Sequence, residues 1–388
     1  MTAAEAAASM LGQRPWNPDE DDTLVCRAVR TETHDVKTFV FTAPEPRRFS
    51  FRPGQFLTFA FPVGGETIHR CYTVSSAPTR PDTVSITVKR VPGGPVSNWL
   101  HDTMTPGAAV QALGPMGEFS CFPPRPHAEV AGAAGPRVEG RGAPKYLFLS
   151  GGSGITPLMS MARTFHDLAV PRDIVFAHAA RSPTDIVFRD ELALMARLSP
   201  SFRLATLCEA DGPGESWAGF RGRLSPALLP VMVPDFRDRE VFCCGPAPFM
   251  AAARTILREA GFDMARYHEE SFDFATLSGS EKAEVLDAEA ELDGEAEASP
   301  LKTFRVEFAR TKRAVEVRED QTVLQAARAQ GVRLPSSCTK GVCGTCKSKL
   351  LSGTVAMSHG GGIRQREIDA GMALLCCSRP TSDLLVDR

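Results

Sequence analysis

Cys338, Cys343, Cys346 and Cys376 stand in the order C-x4-C-x2-C-x29-C, written in the chain as CTKGVCGTC and, further on, ALLCCSRP. The pattern constrains the fold tightly, because three thiols share one short loop and the fourth must return to them from a remote segment. The spacing is that of a plant-type 2Fe-2S cluster, in which two sulfide-bridged irons each take two thiolates. Buried apolar cysteines or a structural zinc site would be the plainer explanations. Zinc ribbons pair C-x2-C with a second C-x2-C, however, and the x4 interval does not suit them. Gly341 and Gly344 punctuate the loop and let backbone amides approach cluster sulfurs, where N–H donors help to set the potential. A chain built this way carries single electrons.

At 388 residues the chain has room for two or three domains, each with its own core. A hydrophobic fraction of 43% and a charged fraction of 23% fit a soluble globular protein. No apolar run reaches the roughly 18 residues of a membrane span, so no membrane role is expected. The opening MTAAEAAASMLGQRPWNPDEDD lacks a basic segment followed by an apolar core, and residues 1–21 read as a mobile tail rather than a secretory signal. Eleven cysteines without such a signal point to a reducing compartment, the cytoplasm. The net charge of −2 conceals an asymmetry: residues 302–388 hold 15 Lys and Arg against 8 Asp and Glu, and residues 274–301 hold 8 acids and one Lys.

Residues 22–125 show short alternating runs (TLVCRAV, KTFVFTA, QFLTFAF, VSITVKRV) separated by Pro and Gly turns, the pattern of an antiparallel β-barrel. Residues 126–144 are rich in Pro, Gly and Ala and read as an insertion or connector. Over 145–273 the strand-like KYLFLS, DIVFAHAA, FRLATLC and EVFCCG alternate with helical PLMSMARTFHDL and PFMAAARTILREAG, an α/β unit with a parallel sheet. The acidic 274–301 reads as a flexible linker. From 302 to 388, TFRVEFART and RAVEVRED suggest a hairpin, TVLQAARAQG a helix, and the cysteine loop follows, as in a β-grasp ferredoxin.

Within the barrel, Arg70-Cys71-Tyr72-Thr73-Val74-Ser75-Ser76 resembles the RxY(S/T) flavin motif of the ferredoxin-NADP reductase superfamily. The resemblance implies Arg70 for the flavin pyrophosphate, Tyr72 against the isoalloxazine, and the Thr73 hydroxyl near flavin N5, with Ser75 adjoining. The segment VKRVPGGPVSNWL contributes Val88, Gly94, Val96 and Ser97, of which Gly94 and Ser97 resemble a phosphate-binding turn opening a helix. GGPVSNWLHD matches members that bind FAD, with FMN as the alternative. Phe119 of GPMGEF is a stacking face for adenine or else a core residue. Gly151-Gly152-Ser153-Gly154-Ile155-Thr156-Pro157 has the superfamily's GxGxTP form, a strand-to-helix turn suited to a pyrophosphate; Gly152, Gly154, Thr156 and Pro157 are its candidate contacts. In Cys243-Cys244-Gly245-Pro246 the resemblance places Cys244 at the nicotinamide, with Gly245 and Pro246 beside it and Cys243 in the core. Phe272, closing the α/β unit, is the aromatic that the family places against the flavin. Thr73, Cys244 and Phe272 are thus the candidates at the hydride-transfer site. Arg181 and Ser182 lie where a 2′-phosphate would bind, but Asp185 disfavours one, so NADH is expected over NADPH.

The order of modules resembles a complete electron path from NADH to FAD to a 2Fe-2S cluster, since a flavin accepts a hydride and releases electrons singly. No residue set for oxidising a further substrate is evident. The cysteine region and its GGGIRQREID segment are especially similar to reductase components of Rieske-type oxygenases that demethylate glycine betaine and related quaternary amines. That resemblance implies a Rieske-type oxygenase as partner, and the position of Pro380 implies Cys376 rather than Cys377 as fourth ligand. NADH oxidoreductases of the hybrid-cluster protein, reductases of diiron monooxygenases, and a redox carrier or sensor without turnover are the alternatives. Lys340, Lys347, Arg364 and Arg366 near the cluster suggest a basic docking face. The near-neutral chain, with no aromatic platform in its basic module, does not suit nucleic acid.

Overall fold

The computed structural model describes residues 14–18, 20–122, 144–271, 302–332, 334, 341, 344, 346–360, 362–363 and 365–388. Two compact units divide the chain, Met1–Leu57 with Tyr72–Phe272 and Thr58–Cys71 with Asp273–Arg388. The expected linker 274–301, and the connector 126–144 apart from Pro144, lie outside the described residues.

Alternation of apolar and polar residues produces the first sheet. Its strands are β1 (Thr23–Thr33), β2 (Val36–Thr42), β3 (Phe56–Val63), β4 (Glu66–Thr73), β5 (Val84–Lys89) and β6 (Ala109–Met116), in the order β4-β3-β6-β1-β2-β5. Phe39, Phe41 and Ile86 are fully buried inside it. Just past β4, Val74 bridges Ile86 of β5, and the Ser75 amide donates to Ser85 O at 2.8 Å. This join brings the end of one outer strand onto the other, β5, as closure toward a barrel requires. Helix α1 (Pro95–Thr103) follows β5; Pro95 opens it, and Val96, Ser97, Leu100 and His101 form its buried face.

The N-terminal segment is not wholly a tail. Pro15 bridges Arg48, the Trp16 amide donates to Arg48 O at 2.9 Å, and the Trp16 ring lies 5.3 Å from that of Phe49. A buried indole in an otherwise polar stretch gains enough from removal from water to pin the chain there.

The second sheet holds β7 (Tyr146–Gly151), β8 (Ile174–Ala180), β9 (Phe202–Cys208), β10 (Phe220–Arg221), β11 (Glu240–Cys244) and β12 (Tyr267–Glu270), ordered β10-β9-β8-β7-β11-β12. Every pairing is parallel. Helices α2 (Ile155–Asp167), α3 (Arg189–Leu198), α4 (Leu229–Met232) and α5 (Ala247–Glu259) accompany it. The central strands read as nearly continuous apolar runs because both faces are covered. Leu147, Leu149, Val175, Val241 and Cys243 pack with Met250, Ala253 and Leu257 of α5 on one face. Tyr146, Phe148, Phe176 and Phe242 pack with Ile155, Leu158 and Met159 of α2 on the other. At the amino ends of the strands, Arg239 is 1% exposed and bonds the carboxylates of Asp235 and Asp173 and the carbonyl of Tyr146.

The C-terminal sheet combines β13 (Thr303–Phe308), β14 (Arg313–Arg318), β15 (Lys347–Ser352), β17 (Met372–Leu374) and β19 (Leu384–Val386) in the order β14-β13-β19-β15-β17, while β16 (Val355–Met357) pairs β18 (Ser378–Pro380). The expected hairpin is present, in register from Thr303↔Arg318 to Phe308↔Arg313, and β13 runs parallel to β19. Helix α6 (Val323–Ala329) starts in a capping box between Thr322 and Gln325 and buries Val323, Leu324, Ala326 and Ala327. Helix α7 (Gln365–Asp369) precedes β17. A mixed sheet grasping one helix is the β-grasp arrangement read from the sequence.

Candidate cofactor sites

The flavin motif lies along β4 and its continuation. Arg70 and Tyr72 are half-buried and Thr73 is buried. The Arg70 guanidinium rests on its neighbour's carbonyl, His69 O, at 2.8 Å. Ser75 is buried: its hydroxyl meets Ser85 O and Thr87 Oγ1, its amide bonds Ser85 O, and its carbonyl accepts from Arg163. These bonds make Ser75 part of the barrel seam and spend its polar atoms within the protein.

At the start of α1, a methyl on Gly94 would fall 2.7 Å from Ser97 Oγ and 3.1 Å from Val91 O, so a side chain there would displace the Ser97 hydroxyl from this turn. The Ser97 hydroxyl accepts from the Val91 amide at 3.1 Å and holds the turn shut. The first-turn amides of Val96 and Ser97 have no place in the helical ladder, which begins with Asn98 N to Gly94 O. Such a turn can hold a phosphate. Val88 is buried beside it in β5, its carbonyl contacted by His101 Nε2 at 2.9 Å. Phe119, open as an adenine platform or a core residue, lies edge-on to Phe242 with centroids 5.6 Å apart and packs on the α/β core.

The two glycine turns of the parallel sheet meet. A methyl on Gly154 would lie 2.4 Å from Cys244 O and 2.5 Å from Gly245 Cα, and one on Gly245 would lie 3.1 Å from Gly151 N. Strands β7 and β11 are neighbours, so their carboxyl-end loops touch backbone to backbone and leave a shallow floor on which a dinucleotide can lie. Gly152 takes φ +53, whereas Thr156 and Pro157 are buried in the first turn of α2. Pro246 caps α5. Arg181 is exposed, and the Ser182 hydroxyl donates to Asp185 Oδ2 at 2.6 Å.

Adjacent residues in a strand face opposite ways, and this sorts the cysteine pair. Cys243 sits in the core against α5, its thiol pushed up to about 12 by burial. Cys244 is turned to the other face, also fully buried, its thiol held well above the ordinary range by burial and by the nearby Glu270 carboxyl. Register then reveals a feature not evident in the sequence. Glu270, Cys244, Ser150, His178 and Thr206 stand side by side across five strands. Ser150 Oγ is 2.8 Å from His178 Nδ1, and burial pushes the imidazole down to about 4. Glu270 Oε2 and His178 Nε2 are covered and have no hydrogen-bond partner among the described residues. Burial pushes the Glu270 carboxyl up to about 8. Phe272 lies outside the described residues.

Of the four cluster thiols, Cys346 and Cys376 are described, and Cys338 and Cys343 lie outside the described residues. Cys346 immediately precedes β15 and Cys376 follows β17 by two residues. Antiparallel pairing of Lys347 with Leu374 carries both to the same end of the sheet, where they share one core. Gly341 and Gly344 both hold φ +71. A methyl on Gly341 would lie 2.7 Å from Cys377 Sγ, and one on Gly344 2.9 Å from Gly362 O. Two cysteines in one core, near glycines whose positive φ disfavours any side chain, fit a thiolate-ligated cluster. Lys347, expected on a basic docking face, is instead 9% exposed, and Glu367 holds its Nζ at 2.7 Å. Lys340 and Arg364 lie outside the described residues.

Three family models match: an oxidoreductase FAD-binding domain over residues 24–121, an oxidoreductase NAD-binding domain over 148–255, and a 2Fe-2S iron-sulfur cluster binding domain over 306–381. Fold and sites together define an oxidoreductase with FAD-, NAD- and 2Fe-2S-binding domains in one chain. Over 364 residues the chain is 43% identical to the glycine betaine monooxygenase reductase subunit of Pseudomonas aeruginosa, covering 93% of this chain and 94% of the relative. It is 38% identical over 374 residues to the stachydrine N-demethylase reductase subunit of Rhizobium meliloti, covering 96% and 97%. Phthalate dioxygenase reductase shares the fold, with a TM-score of 0.53 at 24% identity over 96% of this chain and 100% of that one. The chain belongs to the family of reductase subunits that serve oxygenases, alongside the glycine betaine and stachydrine enzymes. Among the described residues no helix is long and apolar enough to cross a membrane.

Proposed function

We propose that this chain oxidises NADH and delivers the electrons singly to a Rieske-type oxygenase that demethylates glycine betaine or a related quaternary amine. The observation that carries this reading is the 43% identity, sustained over 93% of the chain, to a glycine betaine monooxygenase reductase subunit. The bound groups would supply hydride acceptance at the flavin and one-electron release at the iron-sulfur cluster. Arg70, Tyr72, Thr73 and Val88, with the α1 turn at Gly94, Val96 and Ser97, hold the flavin. Gly152, Gly154, Thr156, Pro157, Gly245 and Pro246 seat the dinucleotide, and Cys244 shapes the pocket in which nicotinamide meets flavin, with Phe272 the aromatic that yields to it. Glu270 keeps its proton near neutral pH and so offers a hydrogen-bond donor beside Cys244. Cys338, Cys343, Cys346 and Cys376 bind the cluster.

The Asp185 carboxylate, already holding the Ser182 hydroxyl, would repel a 2′-phosphate and supports NADH over NADPH. The nine described cysteines form no disulfide, which suits a reducing cytoplasm. Anaerobic titration with NADH should bleach the flavin and cluster bands in turn. The reduced protein should then support demethylation of betaine by a Rieske oxygenase. Electron delivery to a hybrid-cluster protein instead, with none to the oxygenase, would overturn the partner assignment.

A further inference from the structure

Lys347 directly follows the thiol of Cys346, yet its side chain does not reach out to solvent. It is 9% exposed, and its Nζ lies 2.7 Å from Glu367 Oε1 on α7. The stem passes beneath the cluster loop: a methyl on Gly344 would meet Lys347 Cε at 3.7 Å and Nζ at 3.9 Å. Among the described residues only Gly362 O lies nearer that point, so of the two charges the ammonium is the one against Gly344. Gly344 stands between Cys343 and Cys346 in the chain.

In this ion pair the Lys347 side chain is 8% exposed and that of Glu367 28%, and taking the ammonium out of water costs stability that the pairing offsets only in part. Stability alone therefore does not account for this one. Water and salt screen a buried charge far less than a surface charge, so its field persists at short range. Reduction adds one negative charge to a cluster, whose potential responds to nearby charge, hydrogen bonds and exposure. We propose that the Lys347–Glu367 pair is a fixed electrostatic element that sets the potential of the 2Fe-2S cluster, the ammonium raising it and the carboxylate limiting the rise. A bound cluster would take one electron from the reduced flavin and pass it on to the oxygenase; the pair exchanges neither proton nor electron and makes no bond. Lys347 and Glu367 are thus tuning residues for the exit step, and this inference rests on the cluster-ligand reading above.

The test is an anaerobic potentiometric titration of the full-length, cluster-loaded protein, followed by visible absorbance and by the paramagnetic signal of the reduced cluster. In Lys347→Met the reduced-to-oxidised ratio at a fixed potential falls about tenfold, which for one electron is about 59 mV. In Glu367→Gln the ratio rises at least threefold, and Lys347→Arg stays within twofold of the parent. Loosening of the loop would move Met and Gln variants in the same direction, and that result, or a Glu367→Gln shift below twofold, overturns the proposal. If Lys347→Met assembles no cluster, Glu367→Gln decides alone. Absence of a cluster spectrum in the parent protein overturns the ligand reading itself, and the inference with it.

Discussion

Cys244 and Glu270 stand opposite each other in the parallel pairing of β11 and β12, with their side chains on the same face of the sheet. Neither residue's neighbour shares this placement: Cys243 and Glu269 form the next pair, turned to the other side. The pairing puts a carboxyl that titrates near 8 beside the thiol assigned to the nicotinamide pocket.

Glu270→Gln tests that carboxyl in two ways. At neutral pH flavin reduction by NADH, followed by stopped flow, stays within about threefold of the parent, because the Gln amide keeps a donor beside Cys244. The parent rate carries an ionisation near pH 8 that the variant lacks. Stability gives the second readout. The folded carboxyl keeps its proton up to about 8 whereas the unfolded one loses it near 4.5, so the folded state binds the extra proton between them and stability falls as pH rises through that window. Melting temperatures measured from pH 5 to 8 should decline less in Glu270→Gln than in the parent.

The adjacent cysteines separate stability from chemistry. Cys243→Ser places a hydroxyl in the core against α5 and should cost about 1–3 kcal/mol in urea unfolding, with hydride transfer little changed in the protein that remains folded. Cys244→Ala should leave the melting temperature within a few degrees and slow NADH-dependent flavin reduction at least tenfold. Equal effects of the two substitutions on both measurements would contradict the division of faces.

Gly152 and Gly154 make a second contrast. At Gly154 the obstruction is backbone, with Cys244 O and Gly245 Cα within 2.5 Å of the added methyl, so Gly154→Ala must push β7 and β11 loops apart. We expect a loss of about 2–4 kcal/mol and at least a tenfold rise in the KM for NADH. At Gly152 nothing lies within 4 Å and only φ +53 opposes a side chain, so Gly152→Ala should cost about 1–2 kcal/mol.

Cys376 and Cys377 are distinguished by absorbance of the purified protein. Cys376→Ser should lose most of the visible cluster bands and Cys377→Ser should keep them, because Cys376 stands four residues before Pro380, the interval on which its assignment rests. Retention of the bands in Cys376→Ser together with their loss in Cys377→Ser would exchange the two assignments.

The barrel, the parallel sheet and the β-grasp hairpin were legible because alternation, apolar runs and turn residues act locally. The turns that hold Gly154 and Cys244 stand out in the sequence for the same reason, and the structure brings their backbones together. What escaped depends on partners far along the chain. Glu270 in YHEES looks like a surface acid until register sets it beside Cys244, and His178 meets Ser150 only because β7 and β8 pair. Lys347 reads as an exposed cation near a cluster, but Glu367, twenty residues on, draws it inward. Trp16 sits in a stretch of tail-like composition, and only the Arg48 carbonyl and the Phe49 ring reveal its berth.

The bridge from Val74 to Ile86 joins the strand bearing the RCYT motif to the far side of the barrel. The peptide that would read the flavin is therefore also the clasp of its container. A chain altered in this motif would risk its fold along with its cofactor, and an engineer seeking a different flavin would do better to begin at the α1 turn than at the clasp.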